Sequence, residues 1–411
     1  MGRLVGLAVA VAGAWAAAIA VASPAAAAPA GDGGRTPLRV ATYNVSLNRA
    51  QPGQLVSDLR SDDEQAANIA QVLQTTRPDV VLLNEFDHDD EGQAVDLFRS
   101  DYLEVSQHGE EPIEYPYAYS APVNTGVDSG LDLNNDGQTG TADDALGFGE
   151  FPGQYGMVVL SRHPIATEQV RTFQDFRWQD MPGALLPDDP ATAAAGDWYS
   201  EEELGALPLS SKSHWDVPVR VGSTTVHVLA AHPTPPSFDG AEDRNGRRNH
   251  DEIRFWADYV GSPRQSSYIY DDDGERGGLR PGSRFVIAGD YNADPVDGDS
   301  VDEAITQLLD HPRVRDPEPV SSGAVEAAEL QGGANAQHDG AAALDTADFD
   351  DQAPGNLRVD YVLPSKNLPV RDSGVYWPAA DEPGSELTGE QPFPTSDHRS
   401  VWVDVLVPGL R

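Results

Sequence analysis

The sequence predicts an α/β fold, because segments with strand-like patterns alternate with segments of helical spacing along the chain. A second observation concerns function: several strand-like segments are followed directly by a carboxylate, amide or imidazole side chain. In sheet-based α/β proteins, functional side chains gather at strand ends, because strands are rigid and the following loops can vary. The sequence therefore predicts a fold class and the sheet edge where a site would lie.

The predicted strands are short runs rich in Val, Ile, Leu and Ala, and the predicted helices have apolar residues three or four apart. Strands are predicted at residues 38–43, 80–83, 156–160, 217–221, 225–231, 284–288, 357–363 and 400–407. Helices are predicted at residues 62–76, 249–260 and 299–309. Polar insertions separate these elements at residues 124–152, 174–213, 262–281 and 320–356. Loops of this length are usually functional or mobile.

The composition excludes several classes of protein. The chain has 411 residues, a formal net charge of −40 and no cysteine. A disulfide scaffold, a thiolate metal site and a thiol nucleophile are therefore excluded. Such an acidic chain attracts divalent cations and repels nucleic-acid phosphates at long range. The sequence also lacks a stripe of Lys and Arg of the kind that indicates DNA binding.

The N-terminus has the pattern of an export signal. Arg3 provides a positive start, residues 4–22 are uncharged and apolar, and residues 23–30 are small with A-x-A cleavage options. A membrane anchor is the alternative, but the low Leu and Ile content and the cleavage-like tail favour removal. We expect a signal peptide at residues 1–30, a secreted protein without stable membrane insertion, and one domain at residues 36–411.

The strongest local motif is GDYNADP at residues 289–295. Asp290 and Asn292 are two apart, so an extended backbone directs both side chains to one side. A carboxylate beside a carboxamide can orient a water molecule and hold a phosphate oxygen. These residues are also common in ordinary turns, so the motif alone leaves both interpretations open.

Two further motifs lie near the C-terminus. Asp397 and His398 precede the last predicted strand, and such a pair can bind a cation and a phosphate oxygen; a surface Asx turn is the alternative. Arg358 and Asp360 share one strand face, and a buried Asp must be paired. His398 is a natural partner for Asp360, and a structural Arg–Asp pair is the alternative.

Asn44, Glu85 and His232 each follow an apolar strand. Taken singly, such a Glu is most often solvated and such a His is most often a structural residue. Their repeated occurrence at strand ends, together with the motifs above, favours one shared site.

Seven segments resemble, in this order, the endonuclease/exonuclease/phosphatase superfamily, which includes deoxyribonuclease I, bacterial sphingomyelinases and inositol polyphosphate 5-phosphatases. The segments are VATYNV (40–45), VVLLNEF (80–86), GMVVLSRHPI (156–165), VLAAHPTPP (228–236), FVIAGDYNADP (285–295), LRVDYVLPS (357–365) and TSDHRSVWVDV (395–405). The resemblance implies an α/β/β/α four-layer sandwich, in which two mixed sheets pack face to face between helices. It also implies a metal site with Glu85 as the main Mg²⁺ ligand, supported by Asn44 and Asp397.

The resemblance further implies a set of catalytic roles. Asp290 would orient or deprotonate the attacking water, and Asn292 would hold the phosphate. His398, oriented by Asp360, would hydrogen-bond the scissile phosphate, and His232 would assist the leaving oxygen. Oxygen ligands of this kind suit Mg²⁺, Mn²⁺ or Ca²⁺.

One part of the family pattern is not matched clearly. Many members supply a Tyr or an Arg between the second and fourth motifs, and Tyr155 and His214 are the candidates here. No basic loop for clamping DNA is visible, which weakens the case for duplex DNA as the substrate.

The insertion at residues 124–152 contains a separate motif that resembles the calcium loop of EF-hands and dockerins. Its ligand positions 1, 3, 5 and 12 would be Asp132, Asn134, Asp136 and Asp143. We expect a structural Ca²⁺ there, and a disordered polar insertion is the alternative.

The sequence thus predicts a secreted, metal-dependent phosphoesterase that is nuclease-like and attacks a phosphodiester or phosphomonoester with water. An extracellular phosphatase, a phospholipid phosphodiesterase and an inactive calcium-dependent binding protein are the alternatives. The expected partner is a phosphate-ester substrate, with nucleic acid as one option. We expect a monomer without an obligate protein partner.

Overall fold

The computed structural model describes residues 35–389 and 391–409. The predicted signal peptide, residues 1–30, lies outside the described residues. Within the described ranges, no helix combines the length and the apolar character that a membrane span requires.

The described chain consists of strands in two large sheets, a small two-stranded sheet, and helices. The strands are β1 (Arg35–Leu47), β2 (Val80–Phe86), β3 (Tyr117–Tyr119), β4 (Met157–Ser161), β5 (Arg171–Thr172), β6 (His214–Val221), β7 (Thr224–Ala231), β8 (Arg284–Asp290), β9 (Ala347–Asp348), β10 (Asn356–Leu357), β11 (Asp360–Pro364), β12 (Val370–Val375) and β13 (Val401–Pro408). The α-helices are α1 (Gln54–Leu59), α2 (Glu64–Thr76), α3 (Gln93–Leu97), α4 (Glu201–Ala206), α5 (Arg244–Tyr259), α6 (Thr306–Leu309) and α7 (Ser322–Gln331). A π-helical turn, Phe98–Leu103, continues α3.

Both large sheets are mixed. The first has the order β12-β13-β1-β2-β4-β3, and the second has the order β11-β8-β7-β6-β5. Each contains one parallel pair, β1–β2 and β7–β8, and the neighbours of each pair run antiparallel. Because parallel strands end at the same edge, each pair brings two loops together at its carboxyl end.

Alternation along the strands gives each sheet two apolar faces. Val40 and Leu82 of the first sheet share a buried core with Val228 and Val286 of the second sheet. The residues next to them in the sequence point to the opposite face of each sheet, as the two-residue period of a strand requires. The two sheets therefore pack face to face.

The outer face of each sheet is covered by a helix. On the first sheet, Val81 belongs to a cluster with Ile69 of α2, and on the second sheet Ile287 belongs to a cluster with Ile253 and Trp256 of α5. The layer order is thus α/β/β/α. This architecture confirms the predicted four-layer sandwich.

The predicted helix at residues 299–309 is wrong. The chain forms a 3₁₀ turn at Val301–Glu303 and then only the short α6. Asp302 and Glu303 have φ angles of 48° and 51°, which a continuous right-handed helix cannot accommodate.

The predicted strand at residues 357–363 is broken between β10 and β11. At the break, the Arg358 amide donates to Asp294 Oδ2 (2.8 Å) and the Val359 amide donates to Thr346 Oγ1 (3.0 Å). Side-chain acceptors thus replace the sheet partners of these two residues. The Arg358 side chain binds Asp316 and leaves Asp360 free for another partner.

Candidate active site

The site forms where the parallel pairs of the two sheets end. Asn44 lies on β1, Glu85 lies on β2, and Asp290 is the last residue of β8. A side chain at Gly289 would be impossible, because a Cβ there would lie 2.0 Å from the carbonyl oxygen of Ala231 on the neighbouring strand β7. The glycine before Asp290 is therefore required by close strand packing.

Asn44 connects the two sheets. Its side-chain amide donates to Glu85 Oε1 over 3.1 Å and to Asp290 Oδ2 over 3.0 Å, and Asn44 is only 1% exposed. One amide thus fixes the separation between the carboxylate of the first sheet and the carboxylate of the second sheet.

Glu85 is half-buried and has an unusual backbone. Its φ angle is 58°, a left-handed conformation that is uncommon for a residue with a side chain and is often kept at functional sites. The Asn48 amide donates to Glu85 Oε2 over 2.7 Å. Asn48 was not predicted, although it follows Asn44 by four residues in the same segment.

Asp290 lies at the centre of the buried part of the site. Its Oδ2 is 3.3 Å from His232 Nε2 and 3.6 Å from His398 Nε2, and its Oδ1 accepts the Asn292 amide over 2.9 Å. Burial opposes ionisation of Asp290, but the charges of His398 and His232 and the Asn44 hydrogen bond outweigh it and lower the pKa of Asp290. The carboxylate is therefore ionised at neutral pH.

Asp360 supports His398 from behind. Asp360 is the first residue of β11 and lies directly opposite Asp290 in the antiparallel register. Its Oδ2 is 2.9 Å from His398 Nδ1 and accepts a hydrogen bond from Thr346 Oγ1, also over 2.9 Å. Burial lowers the pKa of His398, but the carboxylates of Asp360 and Asp290 raise it well above its ordinary value.

The other three predicted residues line the same edge. Asp397 is half-buried, and its Oδ1 lies 3.4 Å from the Ser46 hydroxyl. Asn292 donates from its side-chain amide to the Pro233 carbonyl over 3.1 Å. His232 is 3% exposed, and its Nδ1 has no partner among the described residues.

Two groups of residues could hold a divalent metal. Ligand atoms of Asp290, Asp360 and His398 lie within 4.8 Å of one another. His398, however, faces a carboxylate at each nitrogen and is held protonated, and a protonated imidazole has no lone pair for a metal. Glu85 instead offers half-buried carboxylate oxygens beside two amides, and this hard oxygen set fits Mg²⁺, Mn²⁺ or Ca²⁺.

The two candidates for the missing Tyr or Arg differ in their surroundings. Both ring nitrogens of His214 are hydrogen-bonded in the interior. One binds Ser210 Oγ (2.5 Å) and the other binds the Glu252 carbonyl (2.9 Å). Burial also lowers the pKa of His214 to about 3. Tyr155 lines a pocket of about 640 Å³ together with Asn48, next to Glu85.

The acidic side chains of the calcium-loop motif accept hydrogen bonds from backbone amides of the same loop. Asp132 accepts the amides of Asp136 and Gly137, and Asp136 accepts the amide of Gln138. Asp143, at position 12, lies 3.9 Å from an Arg244 nitrogen. The group of three acidic or histidine ligands found among the described residues does not include this loop, and the calcium site stays a prediction.

A family model described as the endonuclease/exonuclease/phosphatase family matches residues 41–398. No curated protein sequence matches the chain.

Several solved structures are similar. An endonuclease/exonuclease/phosphatase from Beutenbergia cavernae DSM 12333 is 20% identical with a TM-score of 0.48, and the match covers 91% of this chain and 72% of that one. Sphingomyelinase C from Streptomyces griseocarneus is 17% identical (TM-score 0.45), covering 90% of this chain and 99% of that one. Truncated TDP2 from Caenorhabditis elegans is 15% identical (TM-score 0.41), covering 90% and 98%.

The family match extends from β1 to the loop before β13 and includes each residue of the site described above. Enzymes of this family are phosphoric ester hydrolases, and they generally depend on a divalent metal. This chain belongs to the endonuclease/exonuclease/phosphatase family and is a phosphoric ester hydrolase.

Proposed function

We propose that this chain is an exported, divalent-metal-dependent phosphodiesterase that cleaves its substrate by in-line attack of water. The supporting observation is the position of Asp290, which is held ionised between one amide and two imidazoles. A phosphodiesterase needs such a group to orient water and a cationic donor beside it for the phosphoryl oxygens.

Each residue of the site has a role in the proposed hydrolysis. Asp290 accepts a hydrogen bond from the attacking water and takes its proton as the bond to phosphorus forms. His398, kept protonated by Asp360, donates to a phosphoryl oxygen, and His232 assists the leaving oxygen. A divalent cation held by Glu85, Asn44 and Asp397 would supply further positive charge for the phosphoryl group.

The charges around the site favour small phosphodiesters over duplex DNA. Arg49 is bound by Asp58 and Asp63, and Arg399 is buried against Asp348. These guanidinium groups are engaged by carboxylates and are poorly placed to hold the flanking phosphates of a long polyanion.

A phospholipid phosphodiesterase is a second candidate, because of one exposed aromatic side chain. Phe238 lies in the loop that follows His232, is 86% exposed, and has a φ angle of 67°. The loop is held by Ser237, whose hydroxyl donates to Asp299 over 3.1 Å. An exposed phenyl ring on a fixed loop near the site could contact a lipid surface.

The proposal is tested by a substrate panel assayed with Mg²⁺, Mn²⁺, Ca²⁺ and EDTA. The panel comprises bis-p-nitrophenyl phosphate, p-nitrophenyl phosphate, DNA, RNA, sphingomyelin and inositol phosphates. We expect EDTA-sensitive hydrolysis of the diester and slower hydrolysis of the monoester. Preference for sphingomyelin in vesicles, lost in Phe238→Ser, would favour the second candidate.

His398→Ala provides the mechanistic arm of this test. It should abolish most hydrolysis of bis-p-nitrophenyl phosphate, whereas Asp96→Asn, an exposed substitution on α3, should leave the rate unchanged. Full activity in His398→Ala, or in EDTA, would contradict the proposal.

Export is tested separately, by N-terminal sequencing of the protein recovered from the medium of the producing cells.

A further inference from the structure

Two residues of the site stand at the ends of adjacent strands in the second sheet. The parallel pairing of β7 and β8 ends at Ala230 and Ala288. His232 directly follows β7, and Asp290 is the last residue of β8. The 3.3 Å contact between His232 Nε2 and Asp290 Oδ2 therefore lies beyond the last paired residues. Side chains, and not the hydrogen bonds of the sheet, set the separation of the two loops that continue from here.

Asn249 of α5 joins the backbones of these two loops. Its side-chain amide donates to the Thr234 carbonyl over 2.8 Å and to the Tyr291 carbonyl over 2.9 Å. Thr234 follows His232 by two residues, and Tyr291 is the residue after Asp290. One amide group thus links the chain beside the histidine to the chain beside the carboxylate.

The hydrogen bonds of Asn249 are all made by one end of its amide. The side chain is 0% exposed, and its Oδ1 has no hydrogen-bond partner within the described part of the chain. A buried oxygen without a partner costs stability, which an apolar side chain at this position would avoid. The two loop carbonyls are therefore the groups that account for an amide at residue 249.

Glu252 holds one of the same loops. Its Oε2 accepts the Thr234 amide over 2.8 Å, whereas Asn249 binds the Thr234 carbonyl. Asn249 and Glu252 are three residues apart and therefore share one face of the helix. The next residue, Ile253, packs α5 against the outer face of the second sheet. The helix is thus a fixed support from which the position of the loop is set.

We propose that Asn249 is a positioning residue that sets the distance between His232 and Asp290. The inference rests on the proposed function, because it concerns the roles assigned there to these two residues. Asn249 is completely buried, so it acts through the loops and not on the substrate. A displacement of about 1 Å at a reacting group can lower a rate about 100-fold. Loss of the link should therefore slow the chemical step and leave substrate binding nearly unchanged.

Two substitutions at residue 249 test the inference. Asn249→Ala removes both donors, and Asn249→Asp keeps the shape but offers a carboxyl group that can donate at most one hydrogen bond. With bis-p-nitrophenyl phosphate, each should lower kcat about 10- to 100-fold per folded molecule, with KM changed less than about threefold. A side chain that only filled space would tolerate Asn249→Asp without this loss of kcat.

Asp251→Ala is the matched control on the same helix. Asp251 is also 0% exposed, and it accepts hydrogen bonds from the Trp178 ring and the Leu185 amide, which belong to neither loop. This substitution should lower the unfolding temperature, as Asn249→Ala should, but it should keep the wild-type kcat per folded molecule. An equal fall of kcat in Asp251→Ala would show that general destabilisation is the cause and would overturn the inference.

Hydrogen exchange of backbone amides, followed by mass spectrometry, gives a measurement that needs no substrate. In Asn249→Ala, exchange should become faster in residues 232–236 and in residues 290–295 together, because one side chain holds both segments. Both segments should keep the wild-type exchange in Asp251→Ala.

The outcomes separate the inference from the proposed function. Diester hydrolysis with the wild-type kcat in both Asn249 variants, or unchanged exchange in both segments, would overturn the inference and leave the proposed function intact. Faster exchange of both segments, in a protein that cleaves no diester, would support the link between the loops and overturn only the proposed function. If Asn249→Ala does not fold, Asn249→Ser, which keeps a single donor, is held to the same criteria.

Discussion

The two sides of the site differ in burial and in the kind of partner that each carboxylate has. On the Glu85 side, which comprises Asn44, Asn48, Glu85 and Asp397, the carboxylates are half-buried and accept from amides and hydroxyls. On the Asp290 side, which comprises His232, Asp290, Asp360 and His398, exposure is at most 4% and carboxylates face imidazoles.

This difference allows one site both to bind a cation and to control the position of a proton. A half-buried carboxylate with neutral partners keeps its charge available and can exchange a hydrated cation with solvent. A buried carboxylate between imidazoles has its charge compensated by protons, so it controls where a proton resides. Substitutions on the two sides should therefore fail in different ways.

The largest effect is expected for Asp290→Asn. The amide cannot take a proton from water and removes the negative charge that faces His232 and His398, so kcat should fall about 1000-fold. Binding of Mn²⁺, measured by calorimetry, should be much less affected, and excess metal should not restore the rate. Asp216→Asn, a buried substitution elsewhere in the second sheet, is the control and should leave kcat unchanged. Recovery of Asp290→Asn by excess metal would erase the distinction between the two sides.

Glu85→Gln should give a loss of about 100-fold at limiting Mg²⁺, because it removes the anionic oxygen from the proposed metal site. Here the expected defect lies in metal affinity, so raising the Mg²⁺ concentration should recover much of the rate. The measurement is the metal dependence of kcat in the variant and in the wild type. An equal loss at all metal concentrations would show that Glu85, like Asp290, acts in the chemical step and not through metal affinity.

Asp360→Asn should have a smaller effect, about 10- to 100-fold on kcat, since Asp360 acts through His398. The amide can still accept from Thr346 and keep its place in β11, but it cannot hold the imidazole in its charged form. The measurement is kcat together with the ¹⁵N chemical shifts of the His398 ring, which report protonation. Unchanged ring shifts with a lowered kcat would contradict the role assigned to Asp360.

The fold was largely predictable, because alternation of apolar residues decides which strand faces are buried. The sequence located the strands β1, β2, β7 and β8 within a few residues, but it did not predict which strands pair in parallel. It missed the short edge strands β3 and β5, whose few residues carry no clear period. It also overextended the helix at residues 299–309, because the apolar spacing hides the left-handed backbone of Asp302 and Glu303.

For the site, the sequence could name residues but not their partners. The eight predicted catalytic and metal residues all lie at one edge, since each stands beside the end or the start of a strand. Asn48 and Thr346 were missed, because they lie in irregular segments and gain their importance only from contacts with residues that are distant in the sequence. Long-range pairing of this kind leaves no trace in local spacing.

The smallest effect concerns stability, at the base of the Asp290 side. Asp345 precedes Thr346, which supports Asp360, and it is 8% exposed. Burial, followed by the charges of Asp294 and Asp297, raises the pKa of Asp345 to about 8. The unfolded chain releases this proton near pH 3.9, so the free energy of unfolding should fall as the pH rises from about 4 to about 8.

Asp345→Asn removes this penalty, because the amide is neutral in both the folded and the unfolded chain. The variant should match the wild type near pH 4 and should be more stable by at least about 1–2 kcal/mol near pH 8. Urea unfolding at the two pH values measures the difference, with the exposed Asp381→Asn as the control. A gain that is the same at both pH values would show that Asp345 does not hold a proton in the folded chain.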